Sequence, residues 1–132
     1  MSKDENMSKY AIPYAKRVCK GRGVDVGPGG KEHAFPGSIS VNLNMYLEEE
    51  AIYLPWKDYD YIYSSYLLQE IPDINEVISH WHISLKEGGI LFVYVPEVVM
   101  KEVFNNIKEN NFKDIHMSGI DLNKGVMIYG RK

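Results

Sequence analysis

At 132 residues the chain has enough length for one compact domain over 1–132 and too little for two adequate cores. Apolar residues at 45% and charged residues at 25% exclude a disordered chain, and no run approaches the roughly 18 apolar residues of a membrane span. Lys and Arg number 15 against 18 Asp and Glu, a net charge of -3, which disfavours binding to a phosphate backbone.

The elements follow in chain order. Ser8–Lys20 reads as a leading helix, with Pro13 suited to a first turn, Tyr14 and Val18 on one face, and Gly21 as its stop. Its basic residues Lys16, Arg17, Lys20 and Arg22 read as a solvated face. Gly23-Val24-Asp25-Val26-Gly27 is a short apolar run entering a glycine-rich turn, the pattern of a buried strand. Ser38–Asn42 alternates as a second strand, and Ala51–Leu54 offers a weakly supported third. Tyr59–Ser64 is rich in β-formers.

A helix comes next. Asp73 can cap it with Glu76 three residues later, and Ile74, Val77, Ile78, Trp81 and Leu85 keep one face apolar up to Gly88-Gly89. Ile90–Val95 is an uninterrupted apolar strand closed by Pro96. Met100, Val103, Phe104 and Ile107 mark another amphipathic helix that ends near Asn110-Asn111. Two short strands, 112–117 and 126–129, read as a closing antiparallel pair. Strands alternating with helices predict an α/β fold, with a Rossmann-like, mostly parallel sheet covered by helices on both faces. In such sheets ligands bind beyond the carboxyl ends of the strands, where the strand order reverses.

Val24–Gly30 is the most informative stretch. Glycine admits positive φ and close approach of a ligand to the main chain, whose N–H groups can hold an anion. Gly27 and Gly29 match the first two glycines of G-x-G-x-x-G, but Glu32 stands at the third. A carboxylate there repels a pyrophosphate, so a nicotinamide or flavin cofactor fits poorly.

Four segments then fall in one order. Val24–Gly30 resembles the first motif of class I S-adenosylmethionine (SAM) dependent methyltransferases, in which a strand carrying an acid runs into G-x-G. Leu54-Pro55-Trp56 with Tyr59–Ser65 is similar to the family's LPF segment and fourth strand. Ser65–Asp73 resembles S-H-V-L-E-H-I-P-D, and Ser84–Leu91 resembles V-L-K-P-G-G-x-L. The likeness covers roughly Val24 to Pro96 and points to small members of the methyltransferase type 11 kind.

That resemblance implies SAM as cofactor. Asp25, Gly27, Pro28 and Gly29 would surround its methionine part and Asn42 its ribose, with Leu54 and Tyr66 flanking the adenine and sulfonium end. A structural reading of Asp25 stands beside this one, because an acid at a strand end can simply hydrogen-bond the glycine loop. The implied activity is methyl transfer to a small-molecule or glycan-type acceptor; the alternative is a methyltransferase-like binding module without catalysis.

Three departures bear on that choice. Asn42 replaces the usual acid at the end of the second strand, and an amide offers the ribose no charge. The segment from Gly29 to Ser40 is too short for a full crossover helix. Gln69-Glu70 stands where the family often has Glu-His.

No general base stands out. His80 and His82 lie two apart on a helix and point to different faces, a poor metal pair that reads as surface or packing residues. His33 follows the glycine turn, and His116 has no evident partner. Tyr59, Tyr61 and Tyr63 read as core rings, with Tyr66 as the tyrosine best placed for a pocket. Cys19 is the only cysteine, which leaves no internal disulfide or cysteine-cluster metal site. With no apolar leader at the N-terminus, the expected location is the cytoplasm. No membrane or nucleic-acid partner is expected. The exposed C-terminal strand pair offers an edge for a homodimer or a partner protein.

Overall fold

A computed structural model describes residues 3–28, 33–44 and 46–132, with side chains from residue 9 onward. The elements are α1 (Lys3–Val18), β1 (Gly23–Val26), β2 (Ile39–Val41), α2 (Leu47–Ile52), β3 (Tyr59–Ser65), α3 (Ile74–Ser84), β4 (Leu85–Pro96), α4 (Met100–Glu109), β5 (Lys113–Met117) and β6 (Gly125–Arg131). Short 3₁₀ turns at Leu68–Glu70 and Glu97–Val99 lead into α3 and α4.

The strands form one sheet in the order β2-β1-β3-β4-β6-β5. β2, β1, β3 and β4 are mutually parallel, and β6 runs antiparallel to both β4 and β5. From β1 the chain crosses to β2 on one side and later returns to β3 on the other. The strand order therefore reverses at β1, which places a crevice at the carboxyl ends of β1 and β3.

Each sheet face has its own core because successive side chains on a strand alternate. One face carries Val24, Val26, Ile62, Leu91, Val93 and Val95 against α2, α3 and α4 through Ala51, Ile74, Val77, Ile78, Trp81, Val103 and Ile107. Trp81 is wholly buried, and its indole N–H donates to the Ala51 carbonyl at 2.9 Å, tying α3 to α2. The opposite face carries Tyr61, Tyr63, Phe92 and Tyr94 under Ala11 and Ala15 of α1 and Cys19 just past its end. The two faces are unequal: three helices cover one, and α1 covers the other.

The expected caps of the central helix hold. Asp73 is the N-cap of α3 and its carboxylate accepts from the Glu76 N–H at 3.1 Å. His80 meets Glu76 at 3.3 Å, and His82 packs edge-on against the Phe112 ring, so both serve the surface and packing as their spacing implied.

Several expectations are corrected. The leading helix begins at Lys3, so Pro13 lies inside it rather than in its first turn. The buried face of α1 is Ala11 and Ala15, while Tyr14 is 51% exposed. Small alanines let α1 lie close to the upright rings beneath. The apolar run Ala51–Leu54 does not make a strand: Leu47–Ile52 is a helix. Three consecutive glutamates preceding Ala51 suit a helix, whose first turn favours acids. Gly88-Gly89 does not end α3 either. The helix stops at Ser84, and the glycines lie within β4 beside the C-terminus, where Gly88 N–H donates to the Lys132 carbonyl at 3.0 Å and Lys132 N–H to Gly89 at 2.8 Å.

Candidate functional site

The carboxyl ends of β1, β2 and β3 meet at one place. Gly27, directly after β1, has φ +77 and donates its N–H to the Val41 carbonyl of β2 at 2.8 Å. Ser64 of β3 donates its hydroxyl to the Val26 carbonyl at 2.9 Å. A side chain at Gly27 would be strained by that φ, and its Cβ would press on Leu67 at 3.3 Å with Leu43 at 3.6 Å. Leu43 and Leu67, residues just past β2 and β3, thus close over the glycine from both sides.

Asp25 is 1% exposed, on the α1 face of β1 beside Tyr63. Its Oδ2 accepts from the Phe35 N–H at 2.8 Å, and the Phe35 ring stacks on Tyr63 at 4.9 Å. Its Oδ1 is buried without a hydrogen-bond partner among the described residues. Burial pushes the Asp25 carboxyl up to about 7, against a smaller lowering by the Phe35 N–H. The structural reading of Asp25 is therefore half realised: one oxygen holds the loop that follows the glycine turn, and the other is uncommitted.

The other expected residues fall as follows. Pro28 is buried directly after Gly27. Gly29 lies outside the described residues, as do Gly30 and Glu32. Asn42 is exposed one residue past β2 and borders two hollows, of about 540 and 360 Å³. The smaller hollow is also lined by Glu49, Glu50, Tyr46 and Tyr53 of the α2 region, and Glu50 Oε1 accepts from the Asn44 N–H at 2.9 Å. Leu54 follows α2 and packs half-buried on the main core. Asp25, Gly27, Asn42 and Tyr66 are thus brought to adjoining strand ends, with Leu54 set back beside α2.

Tyr66 is one residue past β3 with φ +52, a left-handed conformation for a non-glycine residue. Its N–H donates to the Tyr94 carbonyl at 2.7 Å, and its ring lies 5.2 Å from that of Tyr94. Gln69 Nε2 donates to the Tyr66 carbonyl at 2.8 Å. These bonds hold the chain in a sharp turn at the end of β3.

Residues that the sequence reading passed over also gather here. Ser65 is 5% exposed and its hydroxyl has no partner among the described residues, as is true of Gln69 Oε1. Two serines following the apolar run Tyr61-Ile62-Tyr63 are the sequence signal for Ser65. The Tyr94 hydroxyl donates to Asp121 Oδ2, while Asp121 Oδ1 accepts from the N–H groups of Asn123 and Gly125, each at 2.8 Å. Burial by itself raises the Asp121 pKa. The bonds from Tyr94, Gly125 and Asn123 outweigh it and leave the group below its ordinary value. Tyr94 is pushed up by burial first and by its bond to Asp121 second.

Between β1 and β2 the described residues 33–38 contain no α-helix, in keeping with the short crossover. Among the described residues no three His, Cys, Asp or Glu side chains converge as a metal site, and no helix is long and apolar enough to cross a membrane.

This architecture is the Rossmann-like fold of class I SAM-dependent methyltransferases. A SAM-dependent methyltransferase from Thermotoga maritima, described as a possible histamine N-methyltransferase, superposes with a TM-score of 0.73 over 98% of this chain and 91% of its own, at 16% identity. A SAM-dependent methyltransferase from Mesorhizobium loti gives 0.71 over 98% of this chain and 100% of its own, at 12% identity. The [4+2]-cyclase SpnF also gives 0.71, over 95% of this chain and 80% of its own, at 13% identity. No family profile and no curated protein matches the sequence.

Proposed function

We propose that the chain is a cytoplasmic SAM-dependent methyltransferase acting on a small-molecule or glycan-type acceptor. The observation that carries this reading is a pair of buried polar atoms, Asp25 Oδ1 and Ser65 Oγ, that have no partner among the described residues and lie at the ends of neighbouring strands. Buried polar groups are almost always hydrogen-bonded, so two orphans at a strand-order reversal are what a polar ligand would satisfy.

SAM fits that chemistry. Its ammonium carries three N–H donors of the kind a carboxylate and a hydroxyl accept. When bound, SAM supplies a methyl group already activated by the sulfonium. Asp25 would hold the ammonium, Gly27, Pro28 and Gly29 would pass beside the methionine part, and Asn42 would meet the ribose. Leu54 would flank the adenine and Tyr66 the sulfonium end. The protein's work is then to orient an acceptor for in-line attack and exclude water, which needs no dedicated base when the acceptor is an amine near its pKa. Tyr94 is unsuited as a base, because its proton is held by Asp121.

A second reading, a binding module without catalysis, is favoured by Asn42 in place of an acid. The fold is compatible with other chemistry, as the cyclase among its structural neighbours illustrates. Thermal denaturation with SAM, S-adenosylhomocysteine and NADH is the test. SAM at 100 times its dissociation constant adds about 2.7 kcal/mol of apparent stability, and NADH adds none. No shift at millimolar SAM would refute the methyltransferase reading and leave the non-catalytic module; a shift without S-adenosylhomocysteine formation across an acceptor panel would also favour the module.

A further inference from the structure

On the α1 face, a cleft of about 550 Å³ lies between α1 and the β5–β6 edge of the sheet. Clefts of this size suit small organic ligands. Its floor is an aromatic row laid across three strands. Phe92 of β4 stacks on Tyr129 of β6 at 5.6 Å and 9°, and Tyr129 stacks on His116 of β5 at 4.8 Å and 18°. These are direct cross-strand partners. Near-parallel rings at strand spacing stand side by side, so their edges face the cleft. Ring edges are the positive part of the aromatic quadrupole, and they attract the negative face of a flat π system or an anionic oxygen.

The charged groups of the cleft agree with the floor. Arg17 lies on its α1 wall with the guanidinium 5.5 Å from the Tyr14 ring, and it has no acidic partner among the described residues. The hydroxyl of Tyr129 also has no hydrogen-bond partner among the described residues. The cleft's acid, Asp121, is engaged by Tyr94 and two backbone N–H groups. Arg17 and the Tyr129 hydroxyl are thus donors lining the cleft without a hydrogen-bond acceptor among the described residues.

We infer that this cleft is a binding site for planar aromatic carboxylates, with the ring laid over the Phe92–Tyr129–His116 row and the carboxylate paired with Arg17. The inference does not depend on SAM binding, and its test omits SAM, so the two stand or fall separately.

The test is calorimetric titration of the full chain with 2-naphthoate, alongside cyclohexanecarboxylate, which is charged but not flat, and 2-naphthalenemethanol, which is flat but neutral. Naphthoate is expected to bind at least about tenfold more tightly than either control, since one charge-assisted pair is worth about 1.5 kcal/mol or more. Arg17→Gln and His116→Ala alter exposed side chains and should each weaken naphthoate by a similar factor without changing the melting temperature. If Arg17→Gln fails to fold, His116→Ala and the analogue series still decide. No naphthoate binding at millimolar concentration would overturn the inference, as would equal binding of the three compounds or unchanged affinity in the variants. A concentration-dependent dimer abolished by Arg17→Gln would instead assign the cleft to a second copy of the chain and overturn it too.

Discussion

The backbone N–H of Phe35 donates to one oxygen of Asp25 at 2.8 Å, and the other oxygen of that carboxylate has no partner among the described residues. One side chain therefore anchors the loop between β1 and β2 and keeps a buried acceptor in reserve at the end of β1.

That arrangement has a pH signature. Burial raises the folded-state pKa of Asp25 to about 7 from an ordinary 3.8. Below about 4 the group is protonated in both folded and unfolded chains and contributes no difference. Between about 4 and 7 the unfolded chain ionises first, so stability falls as pH rises, and the loss is complete above 7. Asp25→Asn keeps an acceptor for the Phe35 N–H and removes the ionisation. It should melt higher than the parent at pH 8, by an amount that vanishes near pH 4, and should bind SAM more weakly by calorimetry. Equal melting temperatures at pH 8 would mean that the Asp25 carboxyl is not perturbed by burial.

Asn42 is the place to test the ribose assignment. A carboxylate can accept charge-assisted bonds from both ribose hydroxyls, about twice as strong as neutral ones. Glu49 and Glu50 line the same hollow as Asn42 and repel a new charge there, which holds the expected gain to a modest one. Asn42→Asp is expected to tighten SAM binding by about fivefold, the equivalent of about 1 kcal/mol. Calorimetry showing no gain or a loss would place the ribose elsewhere.

Tyr94 and Asp121 set the β5–β6 turn. Tyr94→Phe takes away one donor to the carboxylate and should cost about 1–2 kcal/mol in urea denaturation, tempered because Asp121 is partly reached by water. Gly125→Ala should cost about 1–3 kcal/mol, because its Cβ would run into the Tyr94 ring. If either variant is as stable as the parent, the turn does not depend on this contact.

Cys19 closes the set. It is 5% exposed directly after α1, and burial pushes its thiol up to about 12. The thiolate is the reactive form. Ellman's reagent at pH 8 should therefore label the folded chain far more slowly than the urea-unfolded chain. Rapid labelling under native conditions would show α1 lifting from the sheet.

Local pattern made much of the fold legible. The uninterrupted apolar run Ile90–Val95, the Asp73–Glu76 cap and the spacing of Met100, Val103, Phe104 and Ile107 each encode an element within a few residues, so neighbours along the chain suffice to read them. The same holds for Gly27, whose positive φ belongs to the turn that its position after an apolar strand implies. The acid-rich helix at Leu47–Ile52 is not legible locally, because Ala51–Leu54 is apolar by either period; in the fold Ala51 is buried and its carbonyl accepts from Trp81.

Long-range juxtaposition was not legible. Asp25 with Phe35, Tyr94 with Asp121, and Phe92 with Tyr129 and His116 are joined by strand order and register. Residue types along the sequence determined strands, helices and the glycine turn, because those depend on backbone preference and on which face is apolar. Which oxygen of Asp25 stayed unpaired, and which rings came to line a cleft, depended on three-dimensional packing, since side-chain contacts across a sheet carry no signature in linear spacing.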